Sequence, residues 1–362
     1  MVVGIDASRA VSARPTGTET YSRELIQALL KLDASHRYRL YFRTPPSAAA
    51  YPGADVRVMP FPRLWTHVRL AWELARQTPD ALFVPAHVIP IIHPPITLVT
   101  IHDLGYRYFP RSHPPLQRFY LDLSTRWNAR VAAHILADSE ATKSDLVTHY
   151  RTPPEKVTVA YPGLDERLAP VEDSDAIAAV KARYHIDGRY YLYLGTLQPR
   201  KNLTRLIDAF AQLETDAKLV LAGKRGWLYD DLFSRVERMG LSKRVRFTGY
   251  LPDADKPALL SGALAFVFPS LYEGFGLPAL EAQACACPVI VSDSSSLPEA
   301  TGGAALLIDP TETDALAQAM GRLADNASLR QSLIARGLAN ARRFSWARSA
   351  RVLLSTLDQF VV

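Results

Sequence analysis

Cysteine is nearly absent. The 362 residues hold two, Cys285 and Cys287. Two positions apart in one helical stretch, they are too close to bridge well, and no metal-ligand spacing accompanies them. A disulfide framework and a zinc-type site are therefore not expected, and both thiols read as small buried hydrophobes of a reducing compartment. No uninterrupted apolar run reaches membrane-spanning length. The opening MVVGIDASRA has neither a basic flank nor a long apolar core, so it reads as a first strand rather than a secretory signal, and the expected location is cytoplasmic. No Gly-x-Gly-x-x-Gly fingerprint follows that strand, which argues against a dinucleotide enzyme. Runs of Lys and Arg interleaved with aromatics are missing too, so no nucleic-acid partner is expected. No Asp-x-Asp-like pair sits at a strand end, and no metal or other cofactor is called for.

What the chain has is length, an apolar core and a moderate positive charge. Hydrophobic residues make up 48%, and 42 Lys and Arg against 36 Asp and Glu leave a net charge of +6. Such an excess suits an anionic ligand or an acidic membrane surface without choosing between them. Apolar strand-like runs alternate with helical patterns in both halves: MVVGID, YRLYFR, ALFVPAH, ITLVTIHD and HILAD, then YYLYLG, KLVLAG, RVRFTGY, ALAFVFP and PVIVSD. Two doubly wound Rossmann-like α/β domains are expected, residues 1–168 and 169–345. The polar segment 166–177 reads as the linker, and the final helix, about 346–362, as crossing back onto the first domain. Residues 63–77, RLWTHVRLAWELARQ, are amphipathic, with Leu64, Val68, Ala71 and Trp72 at helical spacing. Such a helix packs its Trp and Leu face on a sheet, or lies on an anionic membrane as a peripheral contact.

The stretch SLYEGFGLPALEA (270–282) lies between two apolar strands. Gly274-Phe275-Gly276 makes a turn, and Pro278 stands near the first position of a short helix. Glycines let a ligand approach the backbone, and helix-start N–H groups favour negative charge. Glu273 and Glu281, eight residues apart, add a carboxylate on each side. The combination can hold a phosphate and hydrogen-bond hydroxyl-rich groups beside it. His102 stands at the carboxyl end of a strand, where open α/β sheets bind ligands. Arg200 and Lys201 come at a helix mouth after a strand, with Asn202 as its expected N-cap, a setting suited to a diphosphate. Gly17 opens the first helix, where it can admit a phosphate. Thr16 and Glu19 also fit a capping box.

The Glu-x7-Glu stretch resembles the signature of retaining GT-B glycosyltransferases, glycosyltransferase family 4 in particular. GTLQPRKN (195–202) is similar to a mannosyltransferase-like branch of it. The resemblance implies a GT-B fold, with two Rossmann-like domains facing across a cleft: an acceptor-side domain first and a nucleotide-sugar donor domain second. It gives Glu273 the donor sugar and Glu281 the ribose. Phe275, Gly276, Leu277 and Gly17 line the diphosphate, and main chain at Tyr250 and Leu251 meets the base. His102 lies beside the sugar, and Lys201 with Arg200 neutralises the departing diphosphate. Thr196 stands where many members carry an arginine, which leaves the part of Arg200 open.

The implied activity is a retaining, metal-independent transfer of a hexose, favoured mannose from GDP-mannose, to a saccharide or lipid-linked saccharide in polysaccharide biosynthesis. A nucleotide-sugar epimerase on the same fold, or a non-catalytic nucleotide-sugar-binding partner, are the alternatives.

Overall fold

The computed structural model describes residues 1–12, 17–47, 49–86, 88–110, 114–224, 226 and 230–361. The chain divides into two compact units, Met1–Gly163 with Phe344–Val362, and Leu164–Arg343.

The first unit is built on seven parallel strands: β1 (Val2–Asp6), β2 (Arg37–Phe42), β3 (Asp55–Val58), β4 (Ala81–Val84), β5 (Ile96–Ile101), β6 (His134–Ala137) and β7 (Val157–Val159). Their order is β3-β2-β1-β4-β5-β6-β7. All four residues of β4 and of β6 are buried, as the apolar run of β4 and the Ile-Leu-Ala that follows His134 in β6 require when helices cover both sheet faces. The helix Gly17–Leu32 lays Tyr21, Leu25, Ile26 and Leu29 on the core. The final helix, Trp346–Asp358, returns to the same cluster with Trp346, Ala350, Leu353 and Leu357. Ser345 caps it through the Arg348 amide.

The second unit holds six parallel strands: β8 (Tyr190–Leu194), β9 (Lys218–Ala222), β10 (Val245–Gly249), β11 (Ala265–Phe268), β12 (Val289–Ser292) and β13 (Leu306–Ile308). Their order is β10-β9-β8-β11-β12-β13. In both sheets the winding direction reverses once, between β1 and β4 and between β8 and β11. Outside the carboxyl ends of the strands at such a reversal lies the crevice that open α/β sheets use for ligands.

Three local expectations change. The end of the expected linker, residues 174–177, is helical and belongs to the helix Ser174–Arg183, because the Asp173 carboxylate accepts from the amides of Asp175 and Ala176 and starts a helix there. Asn202 sits at its helix start but does not cap it. Its backbone is left-handed (φ 59°), and its side-chain amide donates to the carbonyls of Pro269 and Pro310 instead. Residues 63–77 are a π-type turn, Thr66–Leu70, running into the helix Ala71–Arg76. The packed face is Trp65, Leu70, Ala71 and Leu74, while Leu64, Val68 and Trp72 point outward. A left-handed Leu64 (φ 54°) followed by the wide π turn rotates the pattern away from an ideal helix. Thr16 of the proposed capping box lies outside the described residues. Glu19 is 3.8 Å from Arg9.

Leu353 is fully buried in the cluster shared by the last and first helices. Leu353→Ala should cost about 2–5 kcal/mol, read as a lower urea midpoint at unchanged slope. A loss under about 0.5 kcal/mol, the usual size for a surface change, would show that this helix is not part of the first unit's core.

Candidate active site

The loops that leave β8 and β11 are joined at the reversal. The Leu271 amide donates to the carbonyl of Arg200 (2.9 Å), which ties the two segments side by side. Pro199–Lys201 forms one 3₁₀ turn. That turn delivers the Lys201 ammonium onto Glu273, Nζ to Oε1 2.5 Å. Arg200 donates through Nη1 to the carbonyl of Tyr272 (2.9 Å) and stands 3.8 Å from the second Glu273 oxygen. Arg200 and Lys201 thus face the same carboxylate. Lys201 also lies over the ring of Phe268, 5.1 Å from its centroid.

Lys201 and Glu273 are 8% and 7% exposed. Burial alone would raise the Glu273 carboxyl, but Lys201 and then Arg200 outweigh it and hold it below the ordinary carboxylate range. Two serines fix its backbone. The Glu273 amide donates to Ser295 Oγ (2.9 Å), and Ser296 Oγ–H donates to the Glu273 carbonyl (2.9 Å). Neither serine was singled out from sequence. The only signal was the run Ser294-Ser295-Ser296 after a strand end.

Phe275 is buried, and Gly276 has φ 101° just before the helix Leu277–Ala284. A Cβ on Gly276 would meet Leu297 Cδ2 at 2.6 Å. The helix start is therefore reached by a backbone that only glycine adopts cheaply. One turn along, Glu281 is 3.7 Å from Lys256 Nζ, longer than a hydrogen bond, while Lys256 Nζ lies 2.9 Å from Asp253. Burial, and to a lesser degree Asp253 and Asp165, push the Glu281 carboxyl up against the pull of Lys256. Such a carboxylate gains from a hydroxyl donor. Tyr250 and Leu251 follow β10, with Lys224 Nζ 5.2 Å from the Tyr250 ring centroid. The Leu197 amide donates to the Lys224 carbonyl (2.9 Å), so the loops after β8 and β9 are joined as well.

In the first unit, His102 follows β5 with both ring nitrogens engaged: Nδ1 to Asp138 Oδ2 (2.7 Å) and Nε2 to the carbonyl of Pro85 (2.9 Å). Burial would lower its pKa, but Asp138 outweighs it and the shift is upward. Both ring nitrogens thus face an oxygen of the protein. Tyr21 meets its edge, with centroids 4.7 Å apart. Asp138, at the end of β6, was not foreseen from sequence, since only the register of β5 on β6 brings it beside His102. Asp6, ending β1, is pushed up to about 6 by burial against the Ser8 hydrogen bonds. Gly17 is the first residue of its helix, and a Cβ added there would meet none of the described residues within 4 Å beyond its own neighbours. His87 lies outside the described residues. Among the described residues, no group of three or more His, Cys, Asp or Glu side chains is placed to hold a metal ion.

Two family models match this chain, Glycosyltransferase Family 4 over residues 15–168 and Glycosyl transferases group 1 over 180–339. Its fold is shared over nearly the whole length with Anabaena HepE, solved with UDP and glucose (TM-score 0.78, 19% identity, 99% of both chains), and with WaaG, a glycosyltransferase involved in lipopolysaccharide biosynthesis (TM-score 0.76, 16% identity, 99% of both). The chain carries two glycosyltransferase family domains on a GT-B fold. Among curated relatives, O-antigen chain mannosyltransferase B of Escherichia coli is 35% identical over 254 residues, covering 69% of this chain and 66% of that protein. The serotype-specific mannosyltransferase WbdA of Escherichia coli is 30% identical over 270 residues, 71% of this chain but 33% of WbdA. D-inositol 3-phosphate glycosyltransferase of Salinispora tropica is 30% identical over 75% of this chain and 60% of its own length. The aligned stretches thus span at most 66% of these relatives.

Removing one partner of a buried ion pair strands the other, at about 3–5 kcal/mol. Lys201→Met should therefore lower the melting temperature by on the order of 10 °C, and Lys201→Met/Glu273→Gln should recover part of it. Because Glu273 is depressed, its contribution is complete above the unfolded carboxyl pKa and is lost as pH falls through the folded value. Wild type should lose its advantage over the double variant on acidification. Parallel melting curves across the acid range would contradict the pairing.

Proposed function

We propose that this protein is a glycosyltransferase that moves a hexose, favoured mannose from GDP-mannose, to a saccharide or lipid-linked saccharide acceptor, retaining the anomeric configuration and needing no metal. The observation that carries the proposal is the convergence of Lys201 and Arg200 on Glu273 at the β8/β11 reversal. Two cations there offset the charge that grows on a leaving nucleoside diphosphate, the task a divalent metal performs elsewhere. Without donor, Glu273 neutralises them. With a diphosphate against the cations, Glu273 is released to accept hydrogen bonds from the sugar hydroxyls, and Glu281 takes the ribose. Main chain at Phe275, Gly276 and Leu277 lines the diphosphate, and that at Tyr250 and Leu251 lines the base. The family resemblance assigns further donor contacts to His102 and Gly17.

The mannose preference is supported by the mannosyltransferase relatives, and the saccharide acceptor by their names. Retention rests on the resemblance of the Glu-x7-Glu stretch. In the proposed step the bond from the anomeric carbon to the diphosphate breaks while the acceptor oxygen attacks the same face. The departing phosphate oxygen takes the acceptor proton.

Incubation with labelled nucleotide sugars, with and without acceptor, separates the readings. Product should form only with acceptor. A changed sugar nucleotide without acceptor would indicate epimerisation, and tight binding without turnover a non-catalytic partner. The first-formed glycoside should keep the donor's anomeric configuration by NMR, and excess chelator should leave turnover intact. Inversion would contradict retention. Loss restored by magnesium or manganese would contradict the metal-free reading.

A charged hydrogen bond contributes about 1.5–3 kcal/mol. Lys201→Ala, assayed well below its melting temperature, should lower kcat by about 10- to 150-fold. Glu281→Ala should mainly raise the donor KM, and Glu273→Ala should change both. A kcat/KM for Lys201→Ala within about threefold of wild type, well short of one such bond, would place the leaving group elsewhere.

A further inference from the structure

Asn202 stands directly after Lys201 and has no part in the proposed transfer. Yet it is buried, and both ends of its side-chain amide are engaged. Nδ2 donates to the carbonyls of Pro269 (3.1 Å) and Pro310 (2.7 Å). Oδ1 accepts from Arg205 Nη1 (3.1 Å), which also donates to the Pro310 carbonyl (2.7 Å). These partners fix which way the amide points, because a carbonyl only accepts and a guanidinium only donates. Pro269 follows β11, and Pro310 comes just after β13. One side chain therefore ties the loop after β8 to the exits of two other strands.

The backbone at the same residue bends the chain. Pro199–Lys201 is a 3₁₀ turn, and the Asn202 amide donates to the Pro199 carbonyl (3.0 Å) to close it. The helix Leu203–Ala211 begins at the next residue. Ordinary helical angles at residue 202 would run turn and helix together as one rod. The left-handed angles found there (φ 59°, ψ 33°) break the direction between them. Asparagine adopts that region more readily than most residues. It supplies both the bend after Lys201 and the anchor that holds the bend.

Lys201 is thus bracketed. On one side the Arg200 carbonyl accepts from the Leu271 amide (2.9 Å), and on the other Asn202 reaches Pro269. Both neighbours are tied to the segment 269–271, shortly before Glu273. The lysine head sits on a flexible stem. In the free protein Glu273 and the ring of Phe268 hold it. In the transfer reading the donor draws Glu273 away, and the ammonium then needs a hold that does not depend on that carboxylate.

We propose that Asn202 is the positioning residue for Lys201, keeping the ammonium presented to a diphosphate while the Lys201–Glu273 pair is open. The proposal rests on the transfer reading, and in it Asn202 touches neither nucleotide nor sugar. A loosened Lys201 still pairs with Glu273 in the free protein. Facing a diphosphate it must be ordered on binding, which weakens affinity for the phosphate that it meets and spares the rest of the nucleotide.

Calorimetric binding of a nucleoside diphosphate and its monophosphate tests this. The nucleoside is whichever of GDP, UDP and ADP raises the wild-type melting temperature most. Wild type should prefer the diphosphate by about tenfold or more, the scale of one charged hydrogen bond. Asn202→Gly keeps the left-handed backbone and removes both amide bonds. Its preference should fall to about threefold or less, well short of one such bond, with monophosphate affinity close to wild type. Asn202→Ala, which also strains the backbone, should melt lower than Asn202→Gly and show the same reduced preference.

Tyr191→Phe is the structural control. It removes a buried hydrogen bond to the Met320 carbonyl (3.0 Å) in the same unit. Its melting temperature should fall while the preference stays, and circular dichroism checks that each variant is folded. An undiminished preference in Asn202→Gly, with the preference lost in Lys201→Met, would overturn the positioning role and leave the transfer reading standing. Loss in Asn202→Ala alone would overturn it too, since the bend and not the amide would then place Lys201. So would equal loss in Tyr191→Phe. No diphosphate preference in the wild type, or one that survives in Lys201→Met, would remove the transfer reading and this inference with it.

Discussion

A buried ion pair between the carboxyl ends of two neighbouring parallel strands is what the candidate site depends on. Lys201 arrives from the loop after β8 and Glu273 from the loop after β11, and the topology that reverses the sheet there is what makes these loops neighbours. Neither charge is tolerable alone at that depth, so each holds the other's loop in place. The main-chain bond from Leu271 to Arg200, and the serine contacts to both sides of the Glu273 peptide, lock the same junction. A buried pair of this kind is weak evidence for stability by itself. Its fit is with a ligand that brings its own negative charge and hydroxyls, and so replaces the partners it separates.

The second carboxylate is held differently. Glu281 lies on a helix beside Lys256, with Asp253 and Asp165 adding unfavourable charge. Glu273 is drawn down and Glu281 pushed up although both are glutamates of one short stretch, the first buried and the second half-buried. The difference is distance to cations: 2.5 Å to Lys201 in one case and 3.7 Å to Lys256 in the other. Two carboxylates in unlike electrostatic settings suit two unlike hydroxyl groups of one ligand.

Much of this was legible in the sequence. Fully buried parallel strands write themselves as apolar runs, so β4, β5, β8 and β11 are plain, and so is the doubly wound class. The Glu273–Glu281 stretch is local, and its turn glycine is explained by one backbone angle at Gly276. What stayed hidden depends on contacts between distant positions. Asp138 reaches His102 across 36 residues through strand register, and Asn202 abandons the cap for carbonyls at Pro269 and Pro310. The packed face around residues 63–77 shifted because a left-handed Leu64 and a π turn break the 3.6-residue period that pattern reading assumes. The last four residues of the linker, from 174, join a helix because the Asp173 carboxylate caps its start.

The central claim is that Lys201 and Arg200 receive a diphosphate. Calorimetric binding of GDP and of GMP to the wild type and to Lys201→Met measures it without turnover. If the β-phosphate lies on Lys201, GDP should bind the wild type more tightly than GMP by about one charged hydrogen bond or more, roughly tenfold. That preference should largely vanish in Lys201→Met while GMP affinity stays close to wild type. Equal affinities for GDP and GMP in the wild type, or an undiminished preference in the variant, would contradict the claim.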